Sequence, residues 1–381
     1  MIIYWSMLLW PAFIYLIYSA ANKRKKEKAF ALSGNVKAVK PPESDKFPLS
    51  YAIIIFAFFT FWIGMRGPIF DTWLYIVEFN NIPADFSLAW SEIDWDSKDP
   101  GFQAFSIIFK CFISKDYQWW LMTLTIISMV PLMQVLRKYS CDFFFSSFVF
   151  VALTTFTWPM NGMRQFICVA VLFGCCDLIK DGKFIKFAIV VLLLSTVHYT
   201  CLMMLLIYFV AKSKPWQMKI FIFIIIIALA CIFDEPLFAG LEDTVLSGTA
   251  YAGATAQFAN DDGVNPLRAL FHAVFPILAF IRRKSLEEHY ESNPMLPIAI
   301  NMSLVSAMLY VIAIFTSGIL IGRLPIYCSV YNMILIPCII NYGFNEKDRR
   351  IVRMFAVLYL MIMFYMECPG YYNSDLTGII M

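Results

Sequence analysis

The chain has 381 residues, of which 60% are hydrophobic, 17% aromatic and only 15% charged, and its formal net charge at pH 7 is +3. A soluble domain carries about 25% charged and about 45–50% apolar residues, so the composition excludes an ordinary soluble protein, and so small a net charge gives no support to nucleic-acid binding. Ten cysteines fall mostly inside apolar runs, with no CxxC pair and no Cys/His spacing suited to zinc, and read as packing residues.

Apolar runs of roughly 16 to 22 residues, long enough to cross the ~30 Å hydrocarbon core of a bilayer with little tilt, recur from end to end. They predict helices near 2–20, 49–65, 118–136, 143–159, 164–179, 184–197, 199–211, 218–234, 267–281, 295–317, 323–342 and 351–366. The expected fold is therefore all-α: a polytopic integral membrane protein of about twelve transmembrane helices in one membrane-embedded domain, 1–381. The first run precedes the basic cluster KRKKEK rather than following one, the reverse of a cleavable signal peptide, and is expected to stay with its N-terminus outside.

Alternating sides from there makes 21–48, 137–142, 180–183, 212–217, 282–294 and 343–350 the inner segments, and each contains Lys or Arg. Of the 30 lysines and arginines, seven fall outside (Arg66, Lys98, Lys110, Lys115, Arg164, Arg268 and Arg323) and the other 23 inside, as the positive-inside rule requires. Segment 21–48, with Pro41-Pro42, reads as a basic cytoplasmic linker. Residues 184–211 are too long for one span and short for two, which favours a short hairpin with its tip at His198. Within the extracytoplasmic segment 66–117, the stretch 101–113 carries Lys110 and reads as an interfacial helix. Segment 235–266, rich in Gly, Ala, Thr and Asp, reads either as a lid-like loop or as a solvated connector.

The outer cations divide by type. The lysines lie in one extramembrane stretch, whereas each arginine sits at an outer helix end, in IGMRGP, NGMRQF, NPLRAL and IGRLPIY. An arginine near hydrocarbon costs a few kcal/mol unless it is paired or wet, and its planar fork matches phosphate oxygens two at a time. Four of them on the disfavoured side point to a diphosphate site at the outer leaflet. Taken singly, each is also explained by snorkelling to the interface, and NPLR by an ordinary helix start with proline in its first turn.

Groups suited to acid–base work lie nearby. If a helix begins near Asp71, then Asp71, Tyr75 and Glu78 share a face; Asp71 reads either as a substrate contact or as an N-cap. His198, in STVHYT, falls at the re-entrant tip, where an imidazole can take a hydroxyl proton, although a lone histidine among apolar residues is commonly structural. Arg323, Tyr327 and Tyr331 recur as one helical stripe, which an interfacial tyrosine belt also explains. In SLAWSEIDWDSKDPG, residues 87–101, Trp90 and Trp95 among carboxylates suit a passing glycan. Asp94-x-Asp96 reads as a weak metal pair or a solvated loop.

The blocks GMRGPIFDTWLY (64–75), NGMRQFICVAVLFGCCDLIKDGKFIKFAIVVLLLSTVHYT (161–200) and GRLPIYCSVYNMILIP (322–337) resemble the EpsG and Wzy-like polymerases of bacterial exopolysaccharide, capsule and O-antigen assembly. The similarity runs in order over roughly residues 50–345, and members often carry glycine before the aspartate of the first block, where this chain has Phe70. The resemblance implies a GT-C-like glycosyltransferase of the bacterial cytoplasmic membrane that joins repeat units carried on undecaprenyl diphosphate, its active site on the extracytoplasmic side. The donor is then a growing polysaccharide on its lipid diphosphate, the acceptor a lipid-linked repeat unit, and a chain-length regulator a further partner. Expected roles are diphosphate clamps for Arg164, Arg323, Arg66 and Arg268, and a phosphate or sugar contact for Gln165. His198 is the expected general base and Asp71 its substitute; Tyr75, Glu78 and Tyr327 are further substrate contacts. No metal, cofactor or nucleic acid is expected. The alternative is a flippase for lipid-linked oligosaccharide, which favours a midplane cavity and repeat symmetry. An acyltransferase would want a histidine near an inner acyl donor, where His289 lies in an ordinary charged loop.

Overall fold

A computed structural model describes residues 2–33, 47–97, 99–232, 263–316, 318, 321–368, 370, 372–374 and 379–380. Away from water a backbone must satisfy its N–H and C=O groups internally, and the described chain does so almost wholly as helix. In order these are α1 (Ile2–Ser33), α2 (Leu49–Gly64), α3 (Thr72–Asn81), α4 (Phe86–Ser91), α5 (Pro100–Phe112), α6 (Tyr117–Tyr139) and α7 (Phe143–Ala152). A 3₁₀ turn (Thr155–Met160) leads to α8 (Met163–Gly174), α9 (Cys176–Lys180) and α10 (Phe184–Ser195), and a second (Tyr199–Leu202) to α11 (Met203–Ala211) and α12 (Met218–Ile232). Then come α13 (Pro266–Ile281), α14 (Arg283–Glu287), α15 (Leu296–Ile314), a 3₁₀ turn (Ile321–Arg323), α16 (Ile326–Ser329), α17 (Asn332–Gly343) and α18 (Glu346–Glu367). Asn373–Ser374 pairs antiparallel with Ile379–Ile380.

The protein is an all-α membrane protein. Among the described residues three helices are long and apolar enough to cross a bilayer, Ile2–Arg24 within α1, α6 and α15; the bent pair Ile321–Ser329 and Asn332–Gly343 adds a fourth if it counts as one span. The other apolar helices have 10–17 residues, so twelve full-length spans are not seen. Their outer faces are nevertheless apolar: Ile185 and Leu193 on α10 are 75% and 67% exposed, which lipid tolerates and water does not. α6 packs along both α2 and α8, α1 along α7, and α13 along α15. α15, apolar all round and buried on nearly every side, is the central helix.

Where expectation and structure part, the causes are local. The helix expected over 143–159 stops at Ala152, because Thr154 adopts a left-handed conformation (φ 51°) and Pro159 has no N–H to give the turn before it. The helix expected over 323–342 bends by 51° between Ser329 and Asn332. Pro337 inside α17 deprives the Met333 carbonyl of its helical donor, and Ser146 Oγ supplies one instead (2.6 Å). α1 continues past its apolar run through KRKKEK to Ser33, a sequence of good helix formers. The rest of the basic linker, 34–46, and nearly all of segment 235–266 lie outside the described residues. Stretch 101–113 forms α5, whose Lys110 caps α3 by donating to Phe79 O (2.9 Å) and Asn80 O (2.7 Å).

Arg66, just beyond α2, is fully buried. Its Nη1 donates to Ile63 O (2.6 Å), Nε to Thr72 Oγ1 (2.9 Å) and Nη2 to Pro159 O (2.7 Å), with Met163 Sδ 2.9 Å away. Thr72 Oγ1 in turn donates to Met160 O (2.6 Å), and Gln118 Nε2, in the first turn of α6, to Gly64 O (2.7 Å). One guanidinium thereby joins the end of α2, the start of α3, the 3₁₀ turn and the start of α8.

α6 begins beside this clamp and, about 33 Å further along its axis, ends in a charged cluster. There Lys138 meets Asp177 (2.5 Å), Lys180 meets Asp177 and Asp181 (3.3 and 3.2 Å), Lys183 meets Asp181 (2.8 Å), and the Tyr139 hydroxyl donates to Asp177. Burial alone would raise the Asp177 carboxyl, but hydrogen bonds from Lys138, Tyr139 and Lys180 outweigh it and hold the group at about 2.

Arg66→Ala leaves buried oxygens without donors, at about 1–3 kcal/mol each, and is expected to lower the thermal unfolding midpoint in detergent by about 10 °C or more. Arg66→Lys is expected to recover only part, since an ammonium has no fork. Asp177, with its folded pKa below the ordinary value of about 3.9, contributes stability that is complete above about pH 4 and is lost as the pH falls towards 2. The midpoint measured between pH 6 and pH 2 should therefore fall more steeply in the wild type than in Asp177→Asn.

Candidate functional site

The stretch TWPMNGMRQF, residues 157–166, is a wall between two cavities. Pro159 and Gly162 break the chain there, and α8 opens at Met163. Successive residues of a first helical turn point in different directions: Met163 meets the Arg66 clamp, Arg164 enters one cavity, and Gln165 braces the edge of the other.

The first cavity, about 390 Å³, is lined by Arg164, Tyr75, Glu78, Glu92, Asp99 and the rings of Phe102 and Trp120, with others. Arg164 forms an ion pair with Asp99, donates from Nε to the Tyr75 hydroxyl (3.2 Å), and lies over the Tyr75 ring, 5.1 Å from its centre. Glu78 and Glu92 are exposed at its rim.

The second cavity, about 230 Å³, brings together Arg268, Arg323, His272, Asn161, Tyr310 and Glu367 with the threonines of the 3₁₀ turn. Arg268 grips Glu367 with two nitrogens, Nη2 to Oε2 at 2.5 Å and Nε to Oε1 at 2.9 Å. His272, one turn further along α13, is 6% exposed and stacks on Tyr310 at 4.4 Å; its Nδ1 has no hydrogen-bond partner. Arg323 is exposed, and its carbonyl accepts from Gln165 Nε2 (2.9 Å).

Asp71 is tied to this wall. In the amide orientation that satisfies its hydrogen bonding, Asn161 donates to both Asp71 oxygens (3.0 and 3.2 Å). The Asp71 side chain makes no cap bond to α3, so the N-cap alternative is not realised. Phe70, standing where glycine is common in the resembling polymerases, has φ 48°, the left-handed region that glycine enters without steric cost.

The four arginines do not form one cluster. Arg66 spends its donors on protein oxygens and has no exposed face for a phosphate; Arg164 is paired with Asp99; only Arg268 and Arg323 share a cavity. Tyr327 and Tyr331 are 2% and 1% exposed because the stripe assumed one straight helix. The Tyr327 hydroxyl instead meets Thr200 Oγ1 (3.0 Å), and Tyr331 packs on Phe173 at 4.8 Å. Gln165, 3% exposed, props the Arg323 backbone. His198 sits at the hairpin tip, half-buried, its ring 5.4 Å from that of Tyr199, and lines neither cavity. Asp94 Oδ1 accepts from Asp96 N (3.1 Å), as in a turn, and among the described residues no three His, Cys, Asp or Glu converge on a possible metal site. His272 escapes a sequence reading that looks for histidines in loops; its available signal is the i, i+4 spacing from Arg268 in RALFH.

Among known families, the EpsG family model matches residues 49–372, a span that includes every residue named in both cavities. No curated protein and no solved structure matches the chain. The chain belongs to the EpsG family, which is polysaccharide polymerase-like.

Phe70→Gly and Phe70→Ala both lose the ring, but only glycine relieves the backbone. The glycine variant is expected to be more stable than the alanine variant by about 1 kcal/mol, read as a higher thermal midpoint. The reverse order would show that the conformation carries no strain.

Proposed function

We propose that this EpsG-family protein is a membrane glycosyltransferase that lengthens a bacterial polysaccharide. On this reading it transfers the growing glycan from undecaprenyl diphosphate to a hydroxyl of a lipid-linked repeat unit, at the outer face of the cytoplasmic membrane. The observation that carries the reading is the second cavity, where Arg268, Arg323 and an unpartnered buried histidine surround a space suited to a diphosphate.

The acceptor O–H bond breaks, a bond forms from that oxygen to the donor's anomeric carbon, and the bond from that carbon to the diphosphate breaks. Negative charge grows on the leaving diphosphate, so donors already in place there stabilise the transition state more than the ground state. Arg268 and Arg323 supply cationic donors, and His272 adds a ring nitrogen that no protein group among the described residues engages. Asp71, which lines neither cavity itself but is held by Asn161 of the second, takes the acceptor proton; His198 lies at the hairpin tip, away from both cavities.

The alternation of helix ends supports the twelve-span, N-terminus-outside topology with short helices. α6 runs from the clamp to the lysine cluster. α7 returns from Asp142, paired there with Arg353 (2.7 Å), to Thr154 in the second cavity. α8 runs back to Asp177, and α10 rises again until Thr196 O accepts from Gly101 N (2.8 Å). Lys138, Lys180 and Lys183 gather at the end opposite both cavities, which under the positive-inside rule supports an extracytoplasmic position for the cavities.

Purified protein in nanodiscs, given defined lipid-linked repeats, is expected to make a ladder of lengthened products. Arg268→Ala, Arg323→Ala and Asp71→Asn are each expected to slow it by about 10²–10³-fold. Ladders unaffected by the arginine changes would remove the clamp. Movement of lipid-linked sugar across the bilayer with no new bond would replace the polymerase by a flippase.

A further inference from the structure

We infer that the first cavity is a carbohydrate subsite that takes an uncharged or amino sugar of the glycan and rejects a uronic acid, an inference that rests on the polymerase reading. Its size, about 390 Å³, lies in the range of preformed small-molecule sites, about 300–1,000 Å³. One wall is aromatic: Phe79 stacks on Trp120 at 4.7 Å, Phe102 lies 5.8 Å from Trp120, and Tyr75 6.0 Å from Phe102. The rings are 1–6% exposed and pack on one another, which makes this wall an apolar one against which the C–H side of a pyranose can lie. Trp120, 1% exposed in this wall, keeps an indole N–H with no partner.

The opposite rim supplies hydroxyl acceptors. Glu78 and Glu92 are exposed there, and neither has an ion-pair partner among the described residues. Arg164 does not offset them, because its charge is already met by Asp99. Lys110, the neighbouring cation, turns its ammonium to the carbonyls of Phe79 and Asn80 and does not line the cavity. The described charged groups of the lining are therefore one cation and three carboxylates, two negative charges in excess. Carboxylates accept strongly from sugar hydroxyls and attract an ammonium, whereas a uronate brings a third like charge into the same space.

The two cavities thus have opposite sign across one short wall. The cationic one suits the carrier's diphosphate, and the anionic one suits a sugar ring and repels that same diphosphate.

The test is calorimetric titration of the purified full-length protein, at low salt, with N,N′-diacetylchitobiose, its fully de-N-acetylated form and the glucuronyl-N-acetylglucosamine disaccharide. The neutral and amino disaccharides are expected to bind, with the uronate about tenfold weaker or more. The gap should narrow at high salt and close in Glu78→Gln/Glu92→Gln, whose positions are exposed and tolerate the change. Equal or tighter uronate binding, an unchanged gap in the double glutamine variant, or no binding of any disaccharide would overturn the subsite. Arg268→Ala separates the two readings: sugar discrimination that persists while the product ladder is lost supports the subsite independently of the clamp. A ladder formed by a protein that shows no discrimination overturns the subsite and leaves the polymerase standing.

Discussion

The buried guanidinium of Arg66 is the constraint on which the site depends. A membrane protein that breaks its helices must find donors for the carbonyls each break releases, because lipid offers none. Here two breaks meet, the corner from α2 into α3 and the 3₁₀ turn before α8. Ile63 O and Pro159 O are both answered by Arg66 Nη atoms, and Met160 O by Thr72, itself held by Arg66 Nε. A planar fork carries its five donors on three separated nitrogens and so reaches acceptors spread around it; an ammonium has three donors but all on one nitrogen. Because Met163 also lies against this group, the first turn of α8 is fixed in rotation, and that rotation sends Arg164 and Gln165 to opposite sides of the wall.

The same solution recurs through the bundle at smaller scale. Asn301 on the central helix donates to Val210 O, Ala211 O and Ser213 O at the end of α11 (3.1, 3.2 and 2.6 Å). Lys110 closes α3, and Ser146 answers the carbonyl that Pro337 leaves open. Polar side chains inside this chain thus serve mostly as helix caps. Against that background His272, Arg323, Glu78 and Glu92 stand out because each lines a cavity with polar atoms its protein partners do not use up.

The runs of apolar residues were enough to read the all-α membrane class, and the break near His198 divides α10 from α11 as the run lengths at 184–211 imply. The shared face of Tyr75 and Glu78 was legible too, since α3 is a regular helix and spacing predicts its faces. The breaks were not, because proline and threonine near an apolar run permit a helix as well as a turn until tertiary donors decide. That is why Tyr327 and Tyr331, spaced for a stripe, lie in the core. Arg66 and Arg164 look alike in sequence, each a guanidinium after Gly-Met, and only packing separates the one that holds the fold from the one that faces a cavity. His272 was hidden by its position inside an apolar helix, where its one local signal, the i, i+4 spacing from Arg268, is equally that of a packed core histidine.

Pairing within each cavity explains how such charges are kept in an apolar protein. Arg268, uncompensated near hydrocarbon, would cost several kcal/mol, and its two-point grip on Glu367 removes that cost in the resting protein. The grip is also a filter. A ligand with a single weak charge gains too little from Arg268 to offset the loss of a bidentate carboxylate, whereas a diphosphate can engage Arg268 and the exposed Arg323 together. Arg164 and Asp99 stand in the same relation in the first cavity, but with Glu78 and Glu92 left over the balance there is negative. Two paired arginines on either side of one ten-residue stretch therefore produce opposite fields from similar parts. On the proposed function, the uncancelled groups, Arg323 on one side and the two glutamates on the other, are what would sort the parts of a glycolipid between the two sides.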